Sequence, residues 1–311
     1  MDTAKGVSII LVVYYHAIMF AGRYEIDILP FYKTINWPML LVRMPLFFVL
    51  SALLMSSKLD EGWDRYARKY LLPVIWLYVI WDTLYLLTMG RPLIQTVTAL
   101  VLPSDIVTHL WFLWALVMFR VAAKLLDRVR LPALAVTALV SFLTFGGHIG
   151  QDLTFVEINL LKYPVFFLAS VWYGRAVFAH VTSRPRLYAA GMLVIFAGMW
   201  MMKERLGIAA SGVIAAVAIS AIISDKVPVI ARVLSWFGRH SLAIFILHFW
   251  IVRGLMQLTD GLPGSPIWGV PAVTLVAVLA SILIRHLTDR IAPFLFVLPV
   301  QFLAGLRPTR A

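Results

Sequence analysis

Runs of about twenty predominantly apolar residues recur along the whole chain, and this recurrence constrains the fold more than any single motif does. In hydrocarbon a backbone must satisfy its own N–H and C=O groups, so such runs fold as helices. Of the 311 residues 62% are hydrophobic and 14% charged, and mean hydropathy is +0.90, too apolar for a soluble domain of this size. The chain therefore reads as all-α, a polytopic membrane helix bundle. Ten transmembrane helices are expected, at about 6–21, 39–57, 71–89, 106–123, 131–147, 158–178, 187–202, 207–223, 240–256 and 267–284. They form one transmembrane domain over 1–290, followed by an interfacial tail over 291–311, where Pro293 and Pro299 break an apolar run too short to cross. Residues 91–105 are too interrupted to span and read as a re-entrant or interfacial lip. No internal repeat is visible, so a duplicated transporter architecture is not supported.

Net charge is +12, yet the basic residues sit mainly in short loops between spans, so membrane topology explains them and nucleic acid is not an expected partner. With the N-terminus cytoplasmic, most of the 27 Lys and Arg fall on the inner side, as the positive-inside rule requires. Residues 6–20 resemble a signal-peptide core, but no small-residue cleavage site follows, so they are expected to remain as a span. Cysteine is absent, which excludes a disulfide framework, a thiolate metal site and an acyl-cysteine intermediate. No metal is expected.

Titratable side chains inside hydrocarbon are costly, so each one is a candidate functional group. At a rise of about 1.5 Å per residue, His16, Asp82 and His248 lie roughly 13 to 16 Å into their spans, placing three such groups from three helices near the midplane. Lys5 and His16 are eleven positions apart, about 20° from full turns, and so share one helix face with roughly 16 Å between them. A ligand with a phosphate head and a long thin arm suits that stripe. The pantetheine arm of coenzyme A, about 15 to 20 Å when extended, has the right reach.

Other charged and aromatic residues carry two readings each. Arg65 and Arg68, at i and i+3 in "DRYARKYLLP" with Lys69 beside them, can bind phosphate; equally, such a cluster obeys the positive-inside rule. Arg43, in "RMPLFFVLS", is placed near the outer surface, either snorkelling there or pairing with a carboxylate or substrate hydroxyl. His109 opens "HLWFLWAL" at the outer end of its span and reads as interfacial or as substrate-facing. Trp111 and Trp114 suit an aromatic belt or stacking on sugar rings. Glu157 and Lys162 are placed to pair with each other.

The ordered set "DTAKGVSIILVVYYHA", "MPLFFVLSALL", "RYARKYLLP", "HLWFLWAL" and "FGRHSLAIFILHF" resembles the acyltransferase 3 family of integral membrane O-acyltransferases over nearly the whole chain. The likeness is greatest to the branch of fucose 4-O-acetylases and exopolysaccharide acetyltransferases. On this resemblance the family's basic-residue, ten-residue-spacer, histidine motif falls on Lys5 and His16. Its paired arginines fall on Arg65 and Arg68, its penultimate-span histidine on His248 and its aromatic stretch on Trp111 and Phe112. Ala52 stands where the family usually has a glycine. The resemblance implies acetyl-CoA as donor, an envelope or extracellular polysaccharide or glycolipid as acceptor, and a multi-pass protein of the bacterial inner membrane. Glycan synthesis or export machinery is a further implied partner.

Residue chemistry and resemblance together give an expected mechanism. The donor's phosphates bind near Lys5, Arg65, Arg68 and Lys69, and its arm follows the first span. His16 acts as general base or as transient acyl acceptor. Asp82 holds the imidazole tautomer, and His248 or Arg43 donates to the tetrahedral oxyanion. His109, Trp111 and Trp114 meet the acceptor. The competing reading is a proton-coupled transporter or flippase that uses His16, Asp82 and His248 as a relay.

Overall fold

A computed structural model describes residues 1–92, 94, 97–98, 102 and 108–299. Among these residues the secondary structure is helical throughout. In chain order the helices are α1 (Asp2–Arg23), α2 (Pro30–Leu53), α3 (Trp63–Tyr66), α4 (Leu72–Thr88), α5 (Trp111–Leu125), α6 (Arg130–Phe145) and α7 (Phe155–Lys162). They continue as α8 (Pro164–Ser183), α9 (Pro185–Met201), α10 (Arg205–Lys226), α11 (Pro228–Arg239), α12 (Ser241–Gln257) and α13 (Ser265–Ile291). A π-turn, Ala67–Leu71, joins α3 to α4, so Trp63–Thr88 forms one continuous helical stretch.

Among the described residues seven helical stretches are long and apolar enough to cross a membrane, and an eighth qualifies if α11 and α12 count as one bent span. The expected spans at 106–123 and 187–202 correspond to α5 and α9, of 15 and 17 residues, shorter than the roughly 20 that hydrocarbon requires. Most of the lip expected at 91–105, and the tail from 300 onward, lie outside the described residues.

Proline sets several helix starts, because its missing N–H is one that a first turn leaves unpaired anyway. Pro30, Pro164, Pro185 and Pro228 all play this part. The start of α2 at Pro30 corrects the boundary expected at 39: the helix runs straight through Pro38, and Arg43 lies thirteen residues into it, roughly 20 Å by helix rise. Near residues 155–162, Thr154 and Glu157 form a capping box, while Lys162 sits over the ring of Phe145 at 5.6 Å. The expected Glu157–Lys162 pair is replaced by these local contacts.

The α11–α12 pair bends by 79° at His240, whose backbone (φ −97°, ψ 8°) leaves the helical region and whose N–H bonds back to Trp236 and Phe237. Helix α11 is amphipathic, with Val229, Ile230, Val233 and Trp236 exposed on one side, the pattern of a helix lying in a membrane interface. Its other side packs on the first turns of α1 with no space between the backbones. A Cβ at Gly6 would stand 2.0 Å from the carbonyl oxygen of Leu234, and one at Gly238 would stand 2.0 Å from that of Asp2. Small residues at helix crossings serve this purpose in membranes, where packing rather than water exclusion drives association.

After α13 the chain turns back onto α4. The indole N–H of Trp76 donates to the carbonyl of Phe294 (2.7 Å) and that of Trp81 to Leu295 (2.6 Å), while Phe296 packs on Trp81. These two bonds satisfy backbone groups that no helix covers, the condition for irregular chain at membrane depth. Residues 293–296 thus pack as a wedge against α4.

Substituting Gly238→Ala is expected to lower stability by about 1–3 kcal/mol or more through overpacking against backbone that cannot move aside. Gly198→Ala, where a Cβ meets nothing within 4 Å, is the control and is expected to cause no loss. Thermal unfolding of the detergent-solubilised chain measures both.

Candidate active site

Three imidazoles from separate parts of the chain meet inside the bundle: His16 from α1, His248 from α12 and His109 from the turn before α5. Ring centroids lie 4.9 Å apart for His16–His248, 5.2 Å for His109–His248 and 6.2 Å for His16–His109. His248 is fully buried and His109 is 8% exposed, whereas His16 keeps partial access. His109 lies face to face with Phe249 at 4.8 Å, and Tyr85 packs edge-on against it and flat on Trp250. His109, expected at the outer end of its span, is covered by these rings. It belongs to the buried cluster.

Hydrogen bonds determine the tautomers. His248 Nδ1 is 2.8 Å from the carbonyl of Ile244 and His16 Nδ1 is 2.9 Å from that of Val12, so each Nδ1 carries a proton that it donates. His248 Nε2 then lies 3.1 Å from His16 Nδ1 and can only accept, because a second N–H would face the first. One proton on His16 is thus shared by two acceptors, and His16 Nε2 retains its lone pair. His109 Nε2 donates to the carbonyl of Phe245 (3.0 Å), and its Nδ1 is buried without a partner. Each ring commits one nitrogen to a carbonyl, and among the described residues no group of three side chains has metal-holding geometry.

The carboxylate expected to hold His16 is elsewhere. Asp82 is buried and accepts a hydrogen bond from the hydroxyl of Thr108, with its second oxygen unpartnered. Its partner neighbours His109 in the chain, so Asp82 bears on that residue. Depth along a span placed Asp82 level with His16 but could not reveal which way it faced. The orienting contacts on His16 come instead from Val12 and His248.

Arg43 is 7% exposed, with its guanidinium carbon 3.4 Å from the ring centroid of Tyr15. Tyr15 in turn packs edge-on against His16 at 4.9 Å. One nitrogen, Nη1, is buried without a hydrogen-bond partner. A cation with an unused donor beside a base is suited to an oxyanion. The expected snorkelling position near the outer surface is therefore corrected to a buried one beside the histidines.

A cavity of about 410 Å³ leads toward this cluster. Lys5, Arg239 and Arg120 line it, as do Phe47, Phe112 and Phe245. The Phe245 ring lies 5.5 Å from that of His109 and 6.2 Å from that of His248, so only one aromatic side chain separates this wall from the imidazoles. Lys5 is partly paired with Asp2 at 3.6 Å. Helix α1 is unbroken from Asp2 to Arg23, so the spacing expected between Lys5 and His16 holds along a single rod.

The other expected cations sit apart from this cavity. Arg65 pairs with Glu61 (2.9 Å) and Arg68 with Asp64, each one turn earlier, and Lys69 is exposed. The Tyr70 hydroxyl donates to Glu61 (2.7 Å) and holds that carboxyl below the usual carboxylate range. Trp111 is buried against Tyr163 and Phe48, and Trp114 packs at the edge of the same core, so neither forms an outer mouth.

Three residues of the site carried signals that the sequence reading passed over. Arg120 is a charge inside an expected span, which alone marks it as a candidate. Arg239 lies in an expected loop whose charges satisfy the positive-inside rule. Tyr15 directly precedes His16.

A family model described as an acyltransferase domain, acyltransferase 3, matches residues 1–286. No curated protein and no solved structure matches the chain.

Proposed function

The chain belongs to the acyltransferase 3 family and is a membrane acyltransferase, and on that premise we propose that it moves an acetyl or similar small acyl group from cytoplasmic acyl-CoA to a sugar hydroxyl of an envelope or extracellular polysaccharide or glycolipid. The observation that carries this reading is the cavity running from Lys5, Arg239 and Arg120 to the aromatic wall beneath His16, His248 and His109. Its cationic mouth suits the donor's phosphates, and its apolar interior suits the pantetheine arm and thioester. A bacterial inner-membrane setting with Lys5 facing the cytoplasm agrees with the distribution of basic residues.

In the proposed step the acceptor hydroxyl attacks the thioester carbonyl while His16 Nε2 takes its proton. The resulting imidazolium is stabilised because its Nδ1–H already has two acceptors, Val12 O and His248 Nε2. Arg43 Nη1 donates to the oxyanion of the tetrahedral intermediate. Collapse breaks the C–S bond, and the departing thiolate takes the proton from His16 Nε2, which restores the base. Asp82 positions His109 through Thr108, and Arg65, Arg68 and Lys69 supply a basic rim further from the donor cavity. The family match favours this enzyme reading over a proton-coupled carrier.

Three variants test the roles. In proteoliposomes given labelled acetyl-CoA and extracted envelope glycan, His16→Ala is expected to reduce transfer by at least about 10²–10⁴-fold with an unchanged unfolding midpoint. His248→Phe fills the same space without an acceptor and is expected to lower kcat while leaving KM for the donor nearly constant. Arg43→Met is expected to lower kcat by about 10²–10³-fold. Proton-driven uptake without labelled product would overturn the reading. Mass spectrometry of envelope glycans with and without the gene is expected to show the loss of one acyl unit.

A further inference from the structure

A second cavity, of about 620 Å³, lies between α11 and α13 beside the donor cavity. Its polar lining is Trp236, Arg239, His240, Arg285, His286 and Asp289. Arg239 lines both cavities, is exposed, and has no hydrogen bond or ion pair among the described residues. Two arginines and two histidines thus face a single carboxylate.

Arg285 is the most informative member. Its Nη2 pairs with Asp289 at 2.8 Å and its guanidinium is held over the Phe296 ring at 4.2 Å, yet Nη1 is buried with no hydrogen-bond partner. A buried N–H without an acceptor is costly, and ligand oxygen relieves it. His286 Nε2 accepts from Arg290 at 3.3 Å, so its proton is on Nδ1. His240 donates Nδ1–H to the carbonyl of Trp236 at 2.8 Å, which fixes its ring at the bend between α11 and α12. An interface cluster that only satisfied topology would point its cations to water. Here one is held by a ring and a carboxylate at the wall of a cavity.

We propose that this cavity binds a phosphate ester between Arg239 and Arg285, with Trp236 available as a stacking face for an attached ring. Two sources offer that chemistry: the nucleotide end of the acyl donor, an assignment that rests on the function proposed above, and the headgroup of an anionic lipid at the interface where α11 lies.

The test uses the full chain in nanodiscs. In phosphatidylcholine discs, calorimetric titration with adenosine 3′,5′-bisphosphate, which lacks the pantetheine arm, is expected to show binding that Arg285→Gln weakens about 10- to 100-fold. In discs containing phosphatidylglycerol, native mass spectrometry counts retained lipid. Weakened nucleotide binding with unchanged lipid retention assigns the site to the donor; lost lipid retention with unchanged nucleotide binding assigns it to the headgroup. No change in either measurement, for a variant that keeps its unfolding midpoint, overturns the proposal. If Arg285→Gln does not fold, Arg239→Gln and His286→Gln, at exposed positions, carry the same test. Acyl transfer that persists in variants with both measurements unchanged sinks this site and leaves the enzyme reading intact. Nucleotide binding in a chain that transfers no acyl group does the reverse.

Discussion

Where α1 meets α11 there is no room for a single additional carbon, and the geometry of the histidine cluster depends on that contact. Gly6 against Leu234 and Gly238 against Asp2 bring two backbones together at the end of the bundle that carries Lys5. Gly238 stands two residues before the 79° bend, so the contact fixes the point from which α12 departs. Helix α12 then runs beside α1, and His248 Nε2 arrives 3.1 Å from His16 Nδ1. A wider crossing at the glycines would be carried along both rods as a displaced imidazole pair, and sub-ångström placement matters for proton transfer.

The histidines are oriented mainly by their own helices. His16 uses the carbonyl four residues back, at Val12, and His248 does the same at Ile244. Such a bond costs the helix little and needs no distant partner, so ring orientation is established as soon as the helix forms. What tertiary packing adds is the meeting of the two rings and the enclosure by Phe249, Tyr85 and Trp250. A buried carboxylate is not required for the tautomer, which explains how Asp82 can serve Thr108 instead.

Much of this was legible in the sequence. Apolar runs locate the helices, and a histidine at mid-span among apolar residues is conspicuous because hydrocarbon excludes it unless function or a partner retains it. Matching depth placed His16, His248 and Asp82 near one level. Orientation around each helix axis was not legible, and this is why Asp82 was assigned to the wrong neighbour. The start of α2 also differs: expected at 39, it lies at Pro30, and the late start put Arg43 near the surface instead of in the buried site. Arg239 stayed hidden because a loop arginine that lines a cavity and one that only faces lipid phosphates have identical sequence context. His109 was misjudged for a related reason, since a residue at the end of an expected span is taken to be wet until neighbouring chain is seen to cover it.

The shared proton on His16 bears on conduction. A proton wire needs each member to receive on one side and release on the other, but at His16, His248 and His109 one nitrogen abuts a peptide carbonyl, which has no proton to pass on. Three titratable rings near the middle of a membrane protein would ordinarily suggest a leak. Here a proton taken up at His16 Nε2 can be matched by release of the Nδ1 proton to His248 Nε2, but His248 Nδ1 faces the carbonyl of Ile244 and no hydrogen bond among the described residues leads onward. The His16–His248 pair can hold a charge between its two rings without handing it further along the described hydrogen bonds.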